Sequence, residues 1–267
     1  MSVPSRPVVL TGASGALGRE LARRLGEAGW SLVLTDIAPF PDPLPAGARF
    51  IAADLEDGVA ILRLCEGAGT ILHFGGVSVE RPFAAMLGPN IRGLYHIYEA
   101  ARRERARVVF ASSNHVVGFH VRTTPLDVEC AYRPDGYYGL SKAYGELMAR
   151  LYFDKHGVES VILRIGSCFP EPRDARMLAT WLSYADLVRL VTCATLAERV
   201  GVATIWGASA NTRTFWRRDD RAVIGWEPKD SADAFASLLA AKVGDDPVAE
   251  RFQGGAFCAI DYTRDRG

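Results

Sequence analysis

Thr11-Gly12-Ala13-Ser14-Gly15-Ala16-Leu17-Gly18 joins an apolar run, Val8-Val9-Leu10, to a segment from Ala16 to Ala28 in which Leu17, Leu21 and Leu25 recur at i, i+4 and i+8. Three glycines placed where a buried strand turns into an amphipathic helix have a physical reading. Gly12 makes the tight turn, Gly15 lets backbone N–H groups approach a pyrophosphate, and Gly18 lets the helix pack closely. Ala16 and Leu17, in the first helical turn, belong to the same phosphate-facing loop. The spacing is G-x-x-G-x-x-G, a variant of the general G-x-G-x-x-G fingerprint for dinucleotides.

Outward from this loop, apolar runs alternate with helical patterns. Strands are expected at Ser31 to Leu34, Arg49 to Ala52, Thr70 to Phe74, Val108 to Ala111 and Ser160 to Arg164, and helices at Val59 to Glu66, Phe83 to Arg103 and Tyr138 to His156. That rhythm predicts an α/β fold with a doubly wound parallel sheet, the Rossmann arrangement. After Ile165 the pattern loosens, with a helix expected near Tyr184 to Arg199, one or two late strands from Val202 and a terminal helix around Ala232 to Lys242. The reading is one domain over residues 1–267, with residues from about 166 onward contributing a small C-terminal substrate-binding cap. Pro39 to Pro45 reads as a rigid surface loop, not a boundary.

The 31 basic residues equal the 31 acidic ones, so nothing in the charge points to nucleic acid or an anionic membrane. Five cysteines, odd in number and without a C-x-x-C pair, argue against a disulfide framework or a zinc knuckle and for reduced thiols in the cytoplasm. No apolar run reaches the ~18 residues of a membrane span and no leader precedes the first strand, so a soluble, unexported protein is expected. His115 and His120 lack a third ligand at metal-binding spacing, and no metal is expected.

Two constellations carry chemistry. Asp36 ends the second strand, 18 positions past Gly18, where a carboxylate accepts hydrogen bonds from ribose hydroxyls. Ile37 follows, with no adjacent base for a 2′-phosphate, which favours NAD over NADP. Asp54-Leu55 flanks the adenine or caps an ordinary strand-end turn, and the same two readings hold for Phe74-Gly75-Gly76 as a floor under the nicotinamide ribose. Tyr138 and Lys142 lie one turn apart on a single helix face, where an ammonium beside a phenol favours the phenolate needed for proton transfer during hydride movement.

With the glycine loop, Ser112-Ser113-Asn114-His115 after a strand, and Tyr138-x-x-x-Lys142 in register, the chain resembles the extended short-chain dehydrogenase/reductase superfamily. More narrowly it resembles the uronate dehydrogenase family, through Leu72 to Phe83, Phe110 to His115, Arg164 to Pro172, Arg176 to Trp181 and Arg251 to Phe257. The resemblance implies NAD-dependent oxidation of the anomeric carbon of galacturonate or glucuronate to an aldarolactone, by a homo-oligomer. It implies Tyr138 as base, Lys142 as the group that lowers its pKa and holds the nicotinamide ribose, and Ser113 on the reacting hydroxyl. Asn90 would support a lysine-linked water, and Ile165 joins the cofactor site. Ser78, Asn114, His115 and Ser167 would surround the sugar, and Arg176 would grip its carboxylate. Two other readings are a nucleotide-sugar epimerase or dehydratase, which shares the tyrosine–lysine core, and a dinucleotide-sensing regulator that uses the fold for binding only, a class that commonly loses the tyrosine or lysine kept here.

Overall fold

Seven parallel strands make the main sheet of the computed structural model, which describes residues 2–264. They are β1 (Val8–Thr11), β2 (Leu32–Thr35), β3 (Ala48–Phe50), β4 (Thr70–His73), β5 (Arg107–Ser113), β6 (Ser160–Ile165) and, after the short pair β7 (Ser167–Cys168) and β8 (Trp181–Leu182), β9 (Val202–Gly207). Their spatial order is β3-β2-β1-β4-β5-β6-β9, while β7 and β8 form a separate two-stranded sheet. The order reverses at β1, whose neighbours are β2 and β4. In such a sheet ligands bind in the crevice beyond the carboxyl ends of the strands at the reversal. Gly12 follows β1 there, and Phe74-Gly75-Gly76 follows β4.

The central strands are buried and largely apolar because both faces are covered. Side chains alternate along β1: Val8 and Leu10 enter a core with Leu21 and Leu25 of α1 (Ala16–Glu27), together with Trp30 and Trp226. Val9 enters the opposite core, with Ile61 of α2 (Gly58–Leu64) and Leu94, Ile97 and Tyr98 from a later helix.

That later helix departs from expectation. Instead of one run from Phe83 to Arg103, the chain forms α3 (Phe83–Met86), a π-helical turn (Leu87–Arg92) and α4 (Gly93–Glu104). Pro89 has no N–H to give and crowds the carbonyl four residues back, so the turn widens, and Gly93 N–H bonds to the Gly88 carbonyl five residues earlier.

The long helix α5 (Tyr137–His156) runs as expected and ends at Gly157, in the left-handed region at φ 68°. A buried ion pair ties it to the sheet, Arg164 Nη2 of β6 lying 2.7 Å from Glu146 Oε2. Ser112 donates to the same carboxylate at 2.5 Å.

Past β6, α6 (Met177–Thr180) precedes β8 and α7 (Tyr184–Leu196) covers the α1 face. The expected extension of α7 to Arg199 is absent. Arg107 Nη1 collects the carbonyls of Ala194, Thr195 and Ala197 at 3.0, 3.2 and 2.7 Å and fixes the end of the helix there. The expected terminal helix from Ala232 to Lys242 is a 3₁₀ turn at Ala232–Phe235 followed by α8 (Ala236–Leu239). Ala232 and Leu239 are buried there in a small cluster with Leu178 and Trp181, and Phe235 and Ala236 pack against it. Two further turns, α9 (Pro247–Arg251) and α10 (Ala256–Ala259), are too short to announce themselves by periodicity.

Candidate active site

At the glycine loop, Gly12 has φ +70°, and a Cβ there would lie 2.5 Å from the Phe74 carbonyl oxygen. A Cβ on Gly18 would overlap the Gly12 carbonyl. Both positions therefore require glycine, one for backbone conformation and closeness, the other for closeness alone. No side chain caps the start of α1, so the first helical N–H groups, those of Ala16 and Leu17 among them, are left to an outside acceptor.

Asp36 reaches back to the loop: its carboxylate accepts from Ser14 N at 3.0 Å and Ala38 N at 3.1 Å. It has no cationic partner among the described residues, and Ile37 beside it is exposed. Leu55 is buried, whereas Asp54 is exposed and accepts from Glu56 N at 2.9 Å, the bond of a strand-end turn. Thr11 couples the two loops of the crevice, its hydroxyl accepting from Gly75 N at 3.0 Å and lying 2.8 Å from His73 Nδ1. Burial lowers His73 to about 3, so the ring is neutral and shares a hydrogen bond with the Thr11 hydroxyl. This crevice, with a glycine-lined turn, an uncapped helix start and an unpaired carboxylate one strand away, fits the pyrophosphate and ribose of a dinucleotide.

Tyr138 and Lys142 are both buried on the same face of α5, while Tyr137 points out and rests against Phe83, ring centroids 5.5 Å apart. The start of α5 is held by Glu80, whose two carboxylate oxygens accept from Tyr137 N at 2.8 Å and Tyr138 N at 2.9 Å. Nothing in the sequence pattern pointed to Glu80, because it caps across 58 residues of chain and no spacing rule covers that distance.

Burial pushes the Tyr138 phenol up to about 12, with a hydrogen bond from Ser113 pulling the other way and the charge of Asp135 adding to the rise. Burial also lowers Lys142 to about 8. The expected lowering of Tyr138 by Lys142 is thus not realised in this geometry: Lys142 Nζ sits over the Phe110 ring at 5.0 Å and is 5.7 Å from the Tyr138 ring centre. The ammonium makes no hydrogen bond to the described residues, which leaves its three donors for a ligand hydroxyl.

Asn90, carried by the π turn, is fully engaged. Its amide accepts from Val77 N at 2.7 Å and donates to Val77 O at 3.0 Å and Ser141 Oγ at 2.9 Å. The side chain clamps the loop after β4 to α5. Ser78, on that loop, is exposed and makes no hydrogen bond among the described residues.

Across the cleft, Ser113, Asn114 and His115 follow β5 and are buried. Asn114, with its amide oriented to satisfy both neighbours, donates to Ile165 O at 3.2 Å and accepts from Arg176 Nη2 at 2.7 Å. Arg176 also donates through Nε to Gln253 O at 2.7 Å and through Nη1 to Ser167 Oγ at 3.4 Å. Every one of these acceptors is neutral. Three of five guanidinium donors are used, and no carboxylate lies within ion-pair distance among the described residues. Burial pulls the guanidinium below its usual range, with Asp174 opposing. A half-buried cation without a carboxylate partner, with two donors unused, can receive an anion.

Phe257 and Gln253, from the C-terminal turns, complete this wall. The Phe257 ring stacks on His115 at 3.9 Å, and Gln253 also accepts from Trp216 Nε1 at 3.1 Å. Sequence alone marks their segment by resemblance but assigns neither residue a task, since nothing in a stretch of glycines and phenylalanines says where it folds back.

The chain is similar to known proteins over nearly its whole length. The NAD dependent epimerase/dehydratase family matches residues 8–225. A uronate dehydrogenase of Pseudomonas syringae pv. tomato is 47% identical over 259 residues, 96% of this chain and 94% of that protein. The crystal structure of uronate dehydrogenase from Agrobacterium tumefaciens superposes with a TM-score of 0.90 at 42% identity, covering 97% of this chain and 98% of that one. A point variant of that enzyme, complexed with NAD, matches with the same TM-score, identity and coverage. The chain belongs to the NAD dependent epimerase/dehydratase family and, within it, to the uronate dehydrogenases.

Proposed function

We propose that this protein uses NAD⁺ to oxidise the anomeric carbon of D-galacturonate or D-glucuronate in the ring form, yielding the aldarolactone. The observation that carries the reading is the half-buried Arg176, whose charge meets only neutral acceptors. A uronate carboxylate supplies the missing counter-charge and two acceptor oxygens for the free N–H groups. Ser167, Asn114, His115 and Ser78 are assigned to the carboxylate and the ring hydroxyls.

Ser113 hydrogen-bonds Tyr138 and orients the C1 hydroxyl; Tyr138 takes its proton as the C–O bond becomes a carbonyl. Lys142, with three unused donors in the cleft, neutralises the phenolate and holds the nicotinamide ribose. Bound NAD supplies the acceptor for the hydride lost from C1. Gly12, Gly15, Ala16, Leu17 and Gly18 cradle its pyrophosphate, Asp36 and Ile37 its adenosine ribose, Asp54 and Leu55 its adenine, and Phe74, Gly75, Gly76 and Ile165 the nicotinamide half. Asn90 acts by fixing the loop under that half, and its link to a lysine-bound water remains part of the proposal.

The chain acts as one domain, with residues from about 166 onward contributing the cap: Ser167, Arg176, Gln253 and Phe257 are linked at the cleft, while α7 and β9 of the same region belong to the main sheet and its covering layer. A cytoplasmic setting is supported by five free cysteines, two of them buried. A homo-oligomer is supported by exposed Leu140, Leu147 and Leu151 on α5 beside exposed Tyr95 on α4.

Mixing the purified protein with NAD⁺ and each acid should produce NADH absorbance at 340 nm; silence with both acids rejects the substrate. Asp36→Ala should narrow the preference for NAD over NADP by about tenfold or more, and an unchanged ratio of kcat/KM values places Asp36 away from the ribose.

A further inference from the structure

Asp135 has no part in the reaction outlined above, yet its side chain is wholly enclosed beside the cleft. Its Oδ2 lies 2.6 Å from His115 Nδ1, while Oδ1 is buried without a partner. Gly118 and Gly254 press so closely on Oδ2 that a Cβ at either would overlap it, and Cys258 Sγ lies at 3.8 Å. The imidazole is equally constrained. Its backbone N–H donates to Ser113 Oγ at 3.2 Å, its face stacks on Phe257 at 3.9 Å, and the Tyr138 ring stands edge-on at 5.8 Å.

A carboxylate at 2.6 Å demands a donor on Nδ1, because two lone pairs at that distance repel. Nε2 is then the nitrogen that carries no proton in the neutral ring, and it has no partner among the described residues. It is left for a ligand, on a ring that lies edge-on to Tyr138, in the residue directly after Asn114, the acceptor for Arg176.

We propose that Asp135 is a positioning residue that holds the His115 proton on Nδ1, so that Nε2 meets the uronate as an acceptor for a ring hydroxyl. The claim about the sugar rests on the uronate reading; the claim about the proton does not. The consequence is selectivity. Arg176 and the Asn114 amide donate, so the carboxylate end of the cleft is rich in donors, whereas a fixed acceptor at His115 requires a hydroxyl hydrogen from the ligand. A ring lacking that hydroxyl leaves Nε2 unpaired and is rejected, as buried polar groups reject ligands that fail to satisfy them.

Two measurements test this. ¹⁵N spectra of the intact protein labelled at histidine should show His115 with a pyrrole-type Nδ1 and a pyridine-type Nε2; the reverse assignment overturns the proposal, and no substrate is involved. Kinetics with NAD⁺ and galacturonate or glucuronate then compare Asp135→Asn, His115→Ala and the double variant. Asp135→Asn keeps the volume of the side chain. It should lower kcat/KM about tenfold, mainly through KM, while the dissociation constant for NAD stays within about twofold. The double variant should be no worse than His115→Ala alone, since the two residues act through one another. Losses that multiply, or a loss of NAD binding, assign Asp135 a merely structural role. If the wild type oxidises neither acid while the ¹⁵N spectrum still places the proton on Nδ1, the substrate assignment fails and the tautomer claim stands.

Discussion

Tyr138 and Arg176 divide the work of the site, and their removal should divide the kinetics. Tyr138→Phe is expected to lower kcat by about 10²–10⁴-fold while NAD binding, followed by fluorescence, is retained. Arg176→Ala should raise KM for the uronate with the smaller effect on kcat, a loss of roughly 2–3 kcal/mol in kcat/KM for charged hydrogen bonds. Equal, small losses in both variants would remove the assigned roles. Lys142 offers a second test, in stability. Its pKa is lowered by burial from 10.5 to about 8, so the folded state pays a penalty of roughly 3 kcal/mol that is fully present below pH 8. Between pH 8 and 10.5 the unfolded chain binds more protons than the folded one, and stability gains with rising pH. Lys142→Met should therefore be more stable than wild type at pH 7 by urea unfolding, and the gap should shrink by pH 10. A gap independent of pH would show that Lys142 titrates normally. At this scale Tyr138, Lys142 and the glycines were legible because their spacing is local. Glu80, Asp135 and Gln253 were not, since each meets its partner across a long separation in the chain.

The elements that carry these residues are held by a few specific devices. α5 owes its place on the sheet partly to the Glu146–Arg164 pair, whose side chains are only 1% and 3% exposed. Arg164→Met would strand the Glu146 charge in the core and should cost about 3–5 kcal/mol. Thermal or urea unfolding measures that loss, and a change under about 1 kcal/mol would mean that water reaches Glu146. The strands of the main sheet and the longer helices α1, α5 and α7 were readable within a few residues because a buried strand or an amphipathic helix repeats its pattern over several turns, whereas the two-residue strands β7 and β8 were not. The π turn at Leu87–Arg92 was not, although Pro89 was visible: a proline inside a helical pattern announces a break without saying whether the chain kinks, stops or widens. The short turns after Ala232 escaped for a simpler reason, having too few residues for any period to develop.

For the molecule as a whole, the remaining expectation is assembly. Leu140, Leu147 and Leu151 are 47–58% exposed on one side of α5. Replacing Leu147 and Leu151 together by Glu should convert the proposed homo-oligomer to monomers in light scattering after size exclusion; a wild type already monomeric at micromolar concentration defeats the idea. Among the described residues no helix is long and apolar enough to cross a membrane, and no group of three or more His, Cys, Asp or Glu is placed to hold a metal. The sequence by itself determined the parallel sheet, the phosphate loop at its first turn and the phenol–ammonium pair, because each depends on residues close together in the chain, where backbone geometry converts spacing into direction. Only the tertiary structure decided that Arg176 would be half-buried among neutral acceptors, that Lys142 would lean on Phe110, that burial would raise the Tyr138 pKa, and that Asp135 would close behind His115. Those outcomes depend on burial and on contacts between distant segments, and a buried charge acquires its strength from the water that folding removes.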